Sequence, residues 1–573
     1  MPEYDLVIRN GEIADGSGRT MQTGDVAVAG NRIAAIGKNL PTGKEEIDAA
    51  GLLVTPGFVD VHTHYDGQAT WDSHLEPSTR HGVTSVVTGN CGVGFAPCRA
   101  DDRDALVRLM EGVEDIPGAA LHEGLPWNWE SFPDYLDALS QRARDCDIAA
   151  MVPHGALRVF AMGERGINRD PATEEDIAVM RRILSEALDA GAVGLGTSRT
   201  IAHRTSTGDL TPMYGAARAE VAGLSKTLKG RGVFQLVSDF VDEEEEFGLL
   251  EDAAKAGACA ASFSLLQADL APAKWRSLLD RVEAADRAGL NIRAQVIPRP
   301  VGVLLGLEAS MNPFTGKPSY RALAHLPLAE RVRAMRDTEM RARILGEEID
   351  KTNPLLVYLT NAFAKFFPLG DPPDYAPPPE ASIAALAAAR GVAPQELAYD
   401  LLLEKEGKAL FYLPLYNYTS GDLRVVEEML AHPLTIFGLG DGGAHVGSIC
   451  DGSATTYLLQ HWARDRARFT IPETIAMLTR KPCELAGLED RGLLAPGMKA
   501  DVNVIDLSAL AIEAPRLVRD LPAGGKRLLQ NAKGYRATIL SGQIVSRDDA
   551  PTGALPGRVV RGRQTAPHAL AAE

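Results

Sequence analysis

The chain has 573 residues, 45% of them hydrophobic, and a formal net charge of −17. That length exceeds one ordinary domain and suits a large α/β barrel with a satellite. The acidic balance disfavours nucleic acid and anionic membranes as partners. No run of about 18 or more apolar residues occurs, so no membrane-spanning helix is expected. Met1-Pro-Glu-Tyr-Asp5 lacks the basic-then-apolar pattern of a secretion signal, which predicts a cytoplasmic protein. Six scattered cysteines (Cys91, Cys98, Cys146, Cys259, Cys450 and Cys483) without Cys-x-x-Cys read as free thiols.

Residues 1–54 are rich in strand signals. Tyr4–Gly11 alternates polar with apolar, and Asp25–Ile36 reads as a hairpin across Gly30-Asn31. The next stretch, Thr55-Pro-Gly-Phe-Val-Asp-Val-His-Thr-His64, reads as a strand. Alternate strand residues share a face, so His62 and His64 project together, as a divalent metal such as zinc requires. Seven further strand candidates follow: Thr84–Cys91, Ile148–His154, Val193–Thr197, Val233–Ser238, Ala260–Gln267, Asn291–Ile297 and Thr435–Asp441. Helical patterns separate them, clearest over Glu174–Ala190, which stops at Gly191. Eight βα repeats predict a closed α/β barrel over residues 55–484, with its site at the C-terminal strand ends. An insertion over residues 298–380 reads equally as a lid or as a helical decoration. Strand signals return over residues 485–548, which predicts one β-sandwich built from both chain ends. Residues 549–573 read as an extended arm.

Two of these motifs carry a resemblance. Pro56–His64 resembles the first barrel strand of the amidohydrolase superfamily. Gly82-Val-Thr-Ser-Val-Val-Thr-Gly-Asn-Cys-Gly92 resembles the second strand of its D-aminoacylase (N-acyl-D-amino-acid deacylase) branch. The resemblance implies a (β/α)8 TIM-type barrel with a small β domain, and a metal-dependent hydrolase of non-peptide C–N bonds. It implies that Cys91 reaches the metal, and that Asp441 touches the metal and takes the proton of the attacking water. It also implies that His154, in Pro153-His-Gly-Ala-Leu-Arg158, lines the site. Members are often homo-oligomeric, although nothing in this sequence identifies an interface.

The chain departs from the D-aminoacylase pattern on strands five and six. Their metal-binding histidines are absent, and Val237 and Leu265 or Leu266 occupy those places. Strand four carries no lysine of the kind carboxylated in other branches. The ligands that remain are His62, His64, Cys91 and Asp441, enough for one zinc and a water, with a second metal left open. Gln235, Ser238 or Gln267 could add an oxygen ligand or hold the water, and His203 or His445 could enter from the loops. Expected substrate contacts are Arg158, Arg199, Ser238 and Gln267, with Arg299 a further arginine able to clamp a carboxylate. The expected reaction is hydrolysis of a small-molecule amide, most simply an N-acyl amino acid. Asp441 would move the proton, and His154 or the metal would polarise the carbonyl. An esterase, lactonase or cyclic-amide hydrolase on the same barrel is the alternative. A binding protein that has lost its metals is a second.

Overall fold

The computed structural model describes residues 2–567. Eight parallel strands form the barrel: β1 (Phe58–Asp60), β2 (Val83–Thr88), β3 (Asp147–Ala150, continued by Val152–Pro153), β4 (Gly194–Arg199), β5 (Val233–Ser238), β6 (Ala260–Ser264), β7 (Ile292–Val296) and β8 (Thr435–Phe437). Each falls within or beside its expected segment. The barrel closes just beyond the regular strands. The Asp441 N–H donates to the His62 carbonyl at 3.1 Å, and the His64 N–H to the Gly442 carbonyl at 2.8 Å. Closure therefore joins the two segments that carry the expected metal ligands. Val59, Val61, Val87, Ala149, Met151, Val193, Val233 and Ile436 fill one layer of the barrel interior, the apolar packing that a closed parallel sheet needs.

The small β domain draws on both chain ends. Strand Val502–Ile505 pairs antiparallel with Leu53–Pro56, between partners from the N- and C-terminal regions. Its core of Leu6, Ile8, Val26, Val28, Val54, Val504 and Ile539 is separate from that of the barrel. A buried ion network ties domain to barrel: Asp147 at the start of β3 receives Arg491 at 2.7 Å and Lys499 at 2.9 Å.

The segment between β7 and β8 has its own core, which includes Leu305, Phe314, Tyr320, Met335, Ile344, Tyr399 and Phe411. This unit runs past residue 380. Strand Leu410–Pro414 pairs antiparallel with Gly302–Gly306 and returns the end of the insertion to its beginning. That pairing spans over a hundred residues, and local periodicity does not register it. The unit also braces the loop after β8, since the Leu304 N–H donates to the Ser448 carbonyl and the Ser310 N–H to that of Gly447. At the opposite end of the barrel the C-terminal arm lies as a strap, bonding Ile148, Gly191 and Gly487 through residues 558–564. Residues 568–573 of the expected arm lie outside the described residues. Among those described, no helix is long and apolar enough to cross a membrane.

Candidate metal centre

His62 and His64 follow β1 with Thr63 between them, whose hydroxyl donates to the Val87 carbonyl at 2.9 Å. Both imidazoles are 1% exposed. Cys91 follows β2 in a left-handed conformation (φ 55°), reached through Gly89 at φ 83°. This tight reversal turns its sulfur back over the strand ends. Its Sγ lies 3.3 Å from His62 Nε2. Asp441 follows β8 at φ 47°, and its Oδ1 lies 3.5 Å from His62 Nε2 and 3.8 Å from His64 Nε2. Gly440 is needed immediately before it, because a Cβ there would collide with the buried Asp60 carboxylate.

Four donors thus converge: two imidazole nitrogens, a thiol sulfur and a carboxylate oxygen. The edge of a tetrahedron with ligand bonds of about 2.1 Å is roughly 3.4 Å. The three donor separations of 3.3, 3.5 and 3.8 Å match it. The His62, His64 and Cys91 donors also form the cluster within 4.8 Å of one another that suits a metal ion.

Neighbouring groups select which nitrogens are free. His62 Nδ1 lies 2.7 Å from Gln295 Oε1, an acceptor, so Nδ1 carries the proton and Nε2 faces the cluster with its lone pair. Gln295 Nε2 in turn donates to Ser262 Oγ at 3.0 Å. Burial lowers the His62 pKa to about 4, against the raising effect of the Gln295 bond, and holds His64 well below the ordinary imidazole value. Both are neutral near pH 7, the ligand form. Burial raises the Cys91 thiol, and the Glu114 and Asp441 charges reinforce the shift. Thiolate formation there requires a cation. Burial, then Asp451 and Asp60, raise Asp441 in the same way.

Glu114 joined this cluster without any sign in the sequence reading. It ends the helix Arg103–Glu114 and lies 3.2 Å from His64 Nδ1 and 3.6 Å from His445 Nε2. Gln295 was also missed. A glutamine amid Ile292-Arg-Ala-Gln-Val296, on the inward face of a barrel strand, was the available signal.

The structure relocates the other expected residues. His154 is fully buried, with Nδ1 2.9 Å from Thr197 Oγ1 and Nε2 3.1 Å from Glu220 Oε1. Both ring nitrogens have partners within the fold. Arg158 is equally committed, donating to both Glu220 oxygens and to the Asp170 carbonyl. It has no open face for a substrate carboxylate. Ser238 bonds Glu246, and Gln267 braces the segment before β8 through Asn417 and Thr419. Neither is directed at the four donors. Arg299 pairs with Asp451 at 2.8 Å in a buried site. Arg199 donates to the Ala216 carbonyl and stands 3.7 Å from Glu245, with its side chain 12% exposed. His203 Nδ1 meets Ser198 Oγ at 3.0 Å, and burial lowers its pKa to about 3. On β5, Gln235 Oε1 accepts the Cys91 N–H at 2.9 Å and steadies that ligand's backbone.

The sequence matches the family described as Amidohydrolase family over residues 45–546. It is 27% identical over 566 residues to a D-aminoacylase of Alcaligenes xylosoxydans xylosoxydans, covering 97% of each chain. It is also 27% identical over 572 residues to an N-acyl-D-glutamate deacylase of the same organism, covering 98% of this chain and 97% of the relative. Among solved structures, a D-aminoacylase with a binuclear metal centre superposes with a TM-score of 0.65 at 23% identity, covering 97% of this chain and all of its own. The N-acyl-D-glutamate deacylase of Bordetella bronchiseptica, complexed with zinc and a phosphonate inhibitor, gives the same TM-score and identity over 97% of this chain and 99% of its own. The barrel with its small β domain is the fold these proteins share.

Proposed function

The chain belongs to the amidohydrolase family, and from that premise we propose that it deacylates an N-acyl amino acid at one zinc held by His62, His64, Cys91 and Asp441. The observation that carries this reading is the convergence of the His62, His64 and Cys91 donors within 4.8 Å of one another, with Asp441 Oδ1 3.5 and 3.8 Å from the two imidazole Nε2 atoms and the Gln295 contact leaving His62 Nε2 free. The deacylase relatives, alike over nearly the whole chain, support the substrate class. One metal is favoured over two because Val237 on β5 and Leu265 or Leu266 just after β6 stand in place of histidines.

A divalent cation at this point supplies a lowered water pKa and draws charge from the substrate carbonyl. Asp441 Oδ1 is buried without a hydrogen-bond partner and faces both imidazoles. With that oxygen on the metal, the second carboxylate oxygen of Asp441 would take the proton of the attacking water and deliver it to the leaving nitrogen. Burial of the imidazoles excludes bulk water and strengthens every charge interaction inside. For the substrate carboxylate, Arg199 is the expected arginine that keeps an open edge, since Arg158 and Arg299 are buried in ion pairs. All six cysteines are free and buried, which suits a reducing compartment and supports a cytoplasmic location.

Metal content by mass spectrometry, paired with hydrolysis of N-acyl-D- and N-acyl-L-amino acids, tests the reading. One zinc per chain, lost in His62→Ala, together with amide hydrolysis that chelation abolishes, is the expected result. Failure to take up zinc, or turnover of esters and lactones with none of amides, would overturn it.

A further inference from the structure

Glu114 lies at the barrel mouth and has no part in the scheme above. Its carboxylate is 1% exposed, and neither oxygen has a hydrogen-bond partner. Burying a carboxylate without a donor is costly. Its position at the end of the helix Arg103–Glu114 adds to the cost, because the C-terminal end of a helix dipole is negative. The two groups nearest its oxygens are both imidazoles. Oε1 is 3.2 Å from His64 Nδ1, itself a buried nitrogen without a partner, and Oε2 is 3.6 Å from His445 Nε2. His445 stands at φ 48°, four positions after Asp441, with its side chain a quarter exposed.

These orphaned atoms complete one another once His64 Nε2 is coordinated. Coordination fixes the ring proton on Nδ1, and that N–H then needs an acceptor. Glu114 Oε1 stands 3.2 Å away, and a small turn of the ring or the carboxylate brings the pair into line. We propose that Glu114 is a positioning residue for the metal centre: its carboxylate receives the His64 Nδ1–H on one oxygen and the His445 Nε2–H on the other. It thereby fixes the ligand's orientation and holds His445 beside the substrate space. The inference rests on the zinc reading above. It adds a carboxylate that orients a metal-bound histidine from behind, an arrangement whose loss commonly weakens metal binding 10–100-fold.

The discriminating variant is Glu114→Leu, examined by zinc competition against a chelator and by thermal unfolding of the metal-free protein. Zinc affinity should fall about 10–100-fold, while the metal-free protein unfolds at the same temperature or higher, because a buried orphan carboxylate has been replaced by an apolar side chain. Glu114→Gln keeps an acceptor of the kind Gln295 offers His62, and should retain more affinity than Glu114→Leu. His445→Ala should leave zinc affinity unchanged and lower kcat. Wild-type zinc affinity in Glu114→Leu would overturn the positioning role alone. So would a parallel loss of affinity and metal-free stability, which marks a packing residue. Absence of zinc binding by the wild-type chain would overturn the underlying reading as well.

Discussion

Two buried histidine–carboxylate clusters sit in this barrel, and they are finished to different degrees. Around His154 both ring nitrogens and both Glu220 oxygens are bonded, and Arg158 closes the group with two contacts to the same carboxylate, leaving its own Nε as the atom without a partner. Around His62 and His64 the reverse holds. Asp441 Oδ1, His64 Nδ1 and both Glu114 oxygens lack partners, and the free nitrogens point at one another's neighbours. Buried polar groups are nearly always satisfied. A saturated cluster therefore stabilises the fold, and a convergent unsaturated one is built around something it must hold. The same residue types serve both ends, and only their saturation tells them apart.

The contrast can be broken most sharply at Asp441. Asp441→Asn should lower kcat by about 10²–10⁴-fold, the usual contribution of a general acid–base group, with the melting temperature little changed. Steady-state hydrolysis beside a thermal melt checks it, and undiminished turnover would remove Asp441 from the chemistry. The saturated cluster should respond in the opposite way. Glu220→Gln leaves Arg158 buried without its counter-charge, at a cost of about 3–5 kcal/mol. Denaturant unfolding should show that loss while zinc stoichiometry stays at the wild-type value; metal loss there would merge the two clusters into one.

A smaller effect is expected at Gln295. Gln295→Leu removes the acceptor that orients His62, and zinc affinity should fall about 10–100-fold, or roughly 1.4–2.8 kcal/mol. Chelator competition measures it. The gentlest probe is pH. Burial alone would raise Glu220, but the His154 and Arg158 contacts outweigh it and hold the carboxyl below its usual range. Its stabilising contribution is therefore complete above the unfolded value of about 4.3 and is lost as pH falls through the lower folded value. Wild-type melting temperature should decline below about pH 4 with a slope that Glu220→Gln reduces. Equal slopes would deny the shift.

Much of the site could be read along the chain because its parts announce themselves locally. Two histidines at period two, a cysteine between glycines and an aspartate among four glycines each need only a few neighbours to be noticed. Glu114 has no such context. A glutamate closing an amphipathic helix looks solvated until the fold buries it against His64. His154 is the complementary case. Its position at the end of β3 is where a barrel places active residues, but the helix Arg218–Ser225 brings Glu220 over it and seals it. The extent of the insertion was likewise hidden, since the pairing of Gly302–Gly306 with Leu410–Pro414 joins residues far apart in the chain.

The eight strand segments and the shared face of His62 and His64 follow from the sequence by itself, because periodicity is a local property, while Cys91 and Asp441 are candidate ligands through the family resemblance of their motifs. Which nitrogen of each imidazole is free, which carboxylates are left without donors and which histidine is sealed away were decided only by the tertiary structure. Hydrogen-bond saturation depends on partners such as Gln295, Glu220 and Glu114, delivered from distant segments. Burial, which makes each missing partner costly, exists only once those segments have packed.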